Sequence, residues 1–294
     1  MLAFIIPVKH PARSRSYRVV TDLLRRTLQS VGAQTDRTFA VIVVCNQRPE
    51  WAGEMERVEF VEVDFPPAEP PARRQDWVDW LYEDRGAKIA VGLRHARRLD
   101  PTHVMFVDAD DFVSRRLAGF VRERPTAPGW YMPDGITYSG LFKIGSPRDR
   151  FWSYCGTSHI LRYDLVPVPD SMDLLPSKES VLGMLDPFYL KRILGCHVDF
   201  IKYFAERGTP IEPLPFVGAV WHADTGENSS RAWWKGSRFG PIWGLPLTPE
   251  QSAEFGITPA ARSLPESLLL YGWRIRSVAA RSLKRLAGLE AKTA

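Results

Sequence analysis

The sequence predicts an α/β domain with a mostly parallel central sheet, helices on both of its faces, and a C-terminal helical tail. Three observations predict it. In the first third, short apolar runs of strand length alternate with longer stretches of helical periodicity. Polar residues stand at the ends of those runs, as in sheets that bind ligands beyond their carboxyl edge. Finally, residues 264–289 mix apolar side chains at helical spacing with arginine and lysine.

The elements follow in order. "LAFIIPV" (2–8) is an apolar run closed by a proline and short enough for a buried strand. "YRVVTDLLRRTLQSV" (17–31) sets Val20, Leu23, Leu24, Leu28 and Val31 on one helical side. "TFAVIVVCN" (38–46) reads as a second buried strand and "VEFVEVDF" (58–65) as an alternating third. The proline-rich "FPPAEPPARR" (65–74) is a loop. "DRGAKIAVGLRHARRL" (84–99) is a helix whose inner side carries Ala87, Ile89, Ala90, Leu93, Ala96 and Leu99. From about residue 116 the rhythm changes to short strands, prolines and aromatics, with a largely helical stretch at 186–208.

Composition bounds the partners. The chain has 294 residues, 45% hydrophobic and 25% charged, enough for one large domain or two small ones with a sizeable core. A net charge of +5 favours anionic partners such as phosphorylated ligands. No basic stretch interleaved with aromatics marks a nucleic-acid groove, so no nucleic acid is expected. Cys45, Cys155 and Cys196 lie far apart and read as reduced thiols of a cytoplasmic protein. "MLAFIIPVKHP" lacks the basic start of a signal peptide, and no apolar run nears the ~20 residues of a spanning helix.

The most informative stretch is "HVMFVDADDFVS" (103–114). Val104 to Val107 form a strand, and Asp108, Asp110 and Asp111 follow at once, where repulsion and desolvation discourage three carboxylates. Strand side chains repeat with a period of two, so Asp108 and Asp110 face one point. Such oxygen ligands suit Mg²⁺ or Mn²⁺, with a substrate's phosphates completing the shell. The competing reading of an isolated Asp-x-Asp is a turn whose aspartate caps the next helix.

"FIIPVKH", "FAVIVVCN" and above all "GAKIAVGLRHA" running into "MFVDADD" resemble the nucleotide-sugar-binding half of the type A glycosyltransferases, nearest to the family-2-like inverting enzymes. The resemblance implies a Rossmann-like GT-A fold, with residues 1–115 as the nucleotide-sugar half and 116–235 as the acceptor-binding, catalytic half of the same domain. Residues 236–294 form a C-terminal extension. It implies a divalent cation, Mn²⁺ or Mg²⁺, and a nucleotide-diphosphate sugar as donor, a UDP-sugar being favoured. Pro7 and Lys9 then fall in the nucleotide loop. Asn46 stands where the family often has an aspartate on the base. Arg85 and Lys88 approach base or phosphates, Asp108 the ribose and the metal, and Asp110 the metal. His222, after the strand "FVGAVW", matches a late metal ligand, and Arg231 follows a lid-like segment (224–230) toward the diphosphate.

The family's acidic pair before a helix is replaced here by "GCHVDF". His197 lies in the usual slot and Asp199 slightly after it; either can remove a hydroxyl proton near neutral pH, and Asp199 is narrowly favoured. The expected activity is inverting transfer of a sugar to a glycan or lipid-linked acceptor. Two alternatives stay open: a nucleotidyltransferase, although "PVKHPARSRS" lacks a glycine-rich phosphate loop, and a non-catalytic nucleotide- or glycan-binding relative. Residues 263–294, with six cationic side chains against Glu266 and Glu290, suit either peripheral contact with an anionic membrane face or packing on the domain or on a second subunit.

Overall fold

Every side chain of β1 (Leu2–Pro7) is buried in the computed structural model, which describes residues 1–55, 57–67, 77–228 and 244–258. The alternation of β1 sorts the helices. Leu2, Phe4 and Ile6 join an apolar cluster with Val20, Leu24, Leu28 and Val31 of α1 (Tyr17–Gly32). Ala3 and Ile5 join another with Ala87, Ile89, Ala90 and Leu93 of α2 (Trp77–Ala96). The sheet thus carries a helix on each face, as period-two patterning requires. A Cβ on Gly92 would lie 2.4 Å from Ile5 Cγ2, so α2 approaches β1 as closely as it does only because that position is glycine.

The chain continues through β2 (Phe39–Cys45), β3 (Val58–Glu62), β4 (His103–Phe106), β5 (Phe112–Val113), α3 (Leu117–Arg122), β6 (Gly129–Tyr131), β7 (Asp134–Ser139), β8 (Ile144–Asp149) and β9 (His159–Arg162). Then come α4 (Lys178–Met184), a π-helical turn (Tyr189–Leu194), α5 (Phe200–Glu206), β10 (Glu212–Pro213), β11 (Ala219–His222) and α6 (Pro249–Phe255). The main sheet has the order β10-β6-β9-β4-β1-β2-β3. Its β4-β1-β2-β3 half is parallel, and β9 runs antiparallel to both β4 and β6. A smaller sheet, β5-β11-β7-β8, stands beyond the carboxyl end of β4. The expected α/β class, mostly parallel, is present.

Two elements differ from expectation. Helix α2 begins at Trp77, well before residue 84. The stretch 186–208 is two helical pieces: a π-type bond from Gly195 N to Leu190 O (2.8 Å) ends the first, and Asp199 opens the second. The turn between them carries His197. The tail 264–289 lies outside the described residues, as does most of the extension proposed for 236–294.

Candidate active site

The carboxyl ends of β1 and β4 open into a cavity of about 620 Å³, bounded by α1, α2, the turn at 195–198 and the loop after β11. Its walls include Pro7, Lys9, Arg13, Arg85, Lys88, Asp108, Asp110, His197 and Glu227. This is where an open α/β sheet presents its ligand crevice.

The three aspartates have three different environments. Arg85 holds Asp108, with Nε and Nη2 each 3.0 Å from Oδ1. Asp111 is buried and accepts from Thr157 Oγ1 (2.6 Å), Cys155 Sγ (3.2 Å) and the His222 backbone N–H (3.1 Å). Those donors come from the approach to β9 and from β11, so Asp111 joins the two sheets. Thr157 also accepts from the Asp108 N–H at 2.9 Å, which ties Asp108 and Asp111 to one hydroxyl. Asp110 accepts at Oδ2 from Asn228 Nδ2 (3.0 Å), and Thr225 Oγ1 stands 3.1 Å from the same oxygen, its single proton shared with Asn228 Oδ1 at 2.6 Å. Burial, and then the Asp108 charge, push the Asp110 carboxyl up to about 6. Burial followed by Asp110 and Asp108 pushes Asp111 well above the usual range.

The cations are largely spoken for. Buried Lys88 donates to Val8 O (2.8 Å) and Asp84 Oδ2 (3.1 Å), and burial lowers its pKa. Arg13 reaches the same Asp84 oxygen at 3.8 Å and lies over the Trp80 ring, 3.5 Å from its centroid. Lys9 pairs with Glu227 at 3.0 Å. Among the described residues no cation pairs with Asp110 or Asp111. That uncompensated charge, made of hard oxygen donors, fits a divalent cation. Among the same residues no three His, Cys, Asp or Glu side chains form a ready-made metal site, so Asp108 and Asp110 would supply part of a shell that phosphates and water complete.

Several expected site residues are placed elsewhere. Asn46 does not line the cavity; its Nδ2 donates to Val63 O (3.1 Å) and Phe65 O (2.8 Å), fastening β2 to the chain after β3. The His222 ring packs on Phe112 and Tyr138, with Nε2 3.5 Å from Asp224 Oδ1. Trp221 faces the cavity, so period-two alternation turns His222 to the opposite side of β11. Asp199 is paired with Arg192, at 3.0 Å from Nε, and does not line the cavity. His197 does line it, and its buried Nε2 has no hydrogen-bond partner among the described residues. Burial, then the Arg85 charge, push the His197 pKa down to about 4, so the ring is neutral at pH 7. Arg231 lies outside the described residues. Thr157, Glu227 and Asn228 carry no motif that sequence reading singles out; of these, only the last two fall in the polar segment after β11.

No protein-family model and no curated protein matches the chain. Solved structures with a similar course of chain include TarS of S. aureus, at 12% identity and TM-score 0.36 over 76% of this chain. This protein spans 36% of TarS. The mannosyltransferase PcManGT from Pyrobaculum calidifontis, solved with GDP-Man and Mn²⁺, is similar at 14% identity and TM-score 0.44, over 94% of this chain and 80% of its own. Core-mannan synthase A of Aspergillus fumigatus, in an Mn/GDP form, gives 11% and 0.40 over 72% of each chain. Among the described residues no helix is long and apolar enough to cross a membrane.

Proposed function

We propose that this protein transfers a sugar from a nucleotide-diphosphate donor to a hydroxyl of a glycan or lipid-linked acceptor. One observation carries the proposal: an aspartate cluster with uncompensated charge and a neutral histidine whose Nε2 has no partner among the described residues line the same cavity at the carboxyl edge of a mostly parallel sheet. Asp108 and Asp110 would hold Mn²⁺ or Mg²⁺, which would neutralise the leaving diphosphate. Arg85 keeps Asp108 turned into the cavity, and Lys88 and Arg13 add positive charge at the end of β1. We assign the acceptor proton to His197, which lines the cavity, in preference to Asp199, whose carboxylate is paired with Arg192. The basic tail suits either packing on the domain or peripheral contact with an anionic membrane surface, where a lipid-linked acceptor would lie.

The test is a thermal-shift screen of UDP, GDP, CDP and TDP, each with and without Mn²⁺, followed by release of nucleoside diphosphate from the matching sugar donors. A metal-dependent shift with one nucleotide and release from its sugars is the expected result. No shift with any of the four, and no release, would sink the proposal.

A further inference from the structure

Asp108 and Asp111 are held by partners beside the sheet, whereas Asp110 is held from across the cavity. Asn228 Nδ2 donates to Asp110 Oδ2 (3.0 Å) and to His222 O (2.7 Å). Its Oδ1 accepts from the Thr225 N–H (3.0 Å) and Thr225 Oγ1 (2.6 Å). This pattern fixes the orientation of the amide, since the reversed one would set an oxygen against both a carbonyl and a carboxylate. The neighbouring residue anchors the other end of the same strap. The Glu227 carboxylate accepts from Lys9 Nζ (3.0 Å) and from the backbone N–H groups of Arg15 (2.9 Å) and Ser16 (3.0 Å), just ahead of α1. Only 6% of its side chain is exposed. Burial pushes its carboxyl up, and Lys9 with those N–H groups more than reverses this.

We propose that Asn228 is a positioning residue for Asp110, and that Glu227 is the anchor through which it acts. The inference rests on the metal reading above and deepens it. Left alone, the Asp110 carboxylate turns freely about its side-chain torsions, and repulsion from Asp108 and Asp111 drives it outward. The Asn228 donor on Oδ2 fixes the torsion at which Asp110 would meet a cation shared with Asp108. Groups of this kind behind a ligand typically change metal affinity by about 10- to 100-fold. Because residues 227 and 228 are adjacent, freeing Glu227 from α1 loosens Asn228 from Asp110. The strap therefore couples the start of α1 to the end of β4.

The experiment measures Mn²⁺ binding to the full-length protein by paramagnetic resonance titration, without nucleotide, beside residue-resolved amide hydrogen exchange. Asn228→Ala should weaken Mn²⁺ about tenfold. Glu227→Gln should weaken it by a smaller factor although it touches no carboxylate of the cluster. Both should speed exchange at the Arg15 and Ser16 amides and around 108–112 while leaving β2 unchanged. Thr225→Val, which removes a donor with little change of volume, serves if Asn228→Ala fails to fold. Mn²⁺ affinity within twofold of wild type in both variants overturns the positioning role. If wild type takes up no Mn²⁺, the metal reading fails and the strap is judged by exchange alone: faster exchange at both ends upholds it, and unchanged exchange overturns it.

Discussion

Arg85 grips Asp108 through a single oxygen, with Nε and Nη2 both 3.0 Å from Oδ1. Its Nη1 donates to Leu194 O at 3.1 Å, so one guanidinium links the end of β4 to the turn that carries His197. Gly156 makes room for the pair: a Cβ there would lie 2.4 Å from Asp108 Oδ2 and 2.9 Å from Arg85 Nη2.

Gly156→Ala should therefore separate binding from stability. Both obstructing atoms are ends of flexible side chains, which can swing aside at a cost of about 1 kcal/mol or less. The displaced pair, however, no longer presents Asp108 to the cavity. Urea unfolding should show a near-normal midpoint, while nucleotide affinity falls about tenfold, equivalent to about 1.4 kcal/mol. Undiminished nucleotide binding would show that the position of Asp108 is unimportant.

Asp110 carries a destabilising charge when no cation is present. Its folded pKa, about 6, lies above the ordinary 3.8, so the folded state binds the proton more tightly than the unfolded chain. The penalty is present in full above pH 6 and disappears as pH falls toward 4. Asp110→Asn should thus be more stable than wild type at pH 7.5, by on the order of 1–2 kcal/mol after allowance for partial exposure. The advantage should vanish near pH 4. Mn²⁺ should stabilise wild type and not the variant, by mass action. A variant less stable than wild type at pH 7.5 contradicts this account.

Much of the fold was legible because its signals are local. The alternation of β1 and the helical spacing around Gly92 each declare a face, and the aspartates after Val107 mark a strand end. The partners of those aspartates were not legible. Thr157 lies 46 residues from Asp111, and Asn228 lies 118 from Asp110, so only the closed fold brings them together. Asp199 and His197 show a finer limit: they are two residues apart, and the break after the π-helical turn decides which one faces the cavity. His222 is a similar case, because the rotation of β11 gives the cavity to Trp221.

The tail gives a prediction from sequence alone. Arg274, Arg276, Arg281, Lys284, Arg285 and Lys292 accompany Leu268, Leu269, Trp273, Ile275, Leu283 and Leu286, a pattern able to lie in an anionic interface. The full chain should float with liposomes containing acidic lipid at low salt, and a chain ending near residue 262 should not. If both stay in the soluble fraction, the tail is not a membrane contact.

His197 supplies the pH test of the proposed base. Its folded pKa of about 4 lies below the ordinary 6.5, through burial first and the Arg85 charge second, with Asp108 opposing. The unfolded chain therefore binds the proton more tightly, and the residue's contribution to stability is complete above pH 6.5 and lost as pH falls toward 4. The size is at most about 3 kcal/mol, and less with partial exposure. His159, packed edge-on to Phe200, is pushed the same way by burial and then by His197. Asp110 acts in the opposite sense over the same range, so the total curve is a poor readout and a difference is needed. Between pH 7.5 and 4.5, wild type should lose about 1–3 kcal/mol relative to His197→Gln in urea unfolding. In turnover, a base this hard to protonate keeps working to about pH 5, and His197→Gln should cost roughly 10²- to 10⁴-fold with donor affinity unchanged. A stability difference that is flat with pH, together with near-normal turnover in the variant, would remove His197 from the reaction.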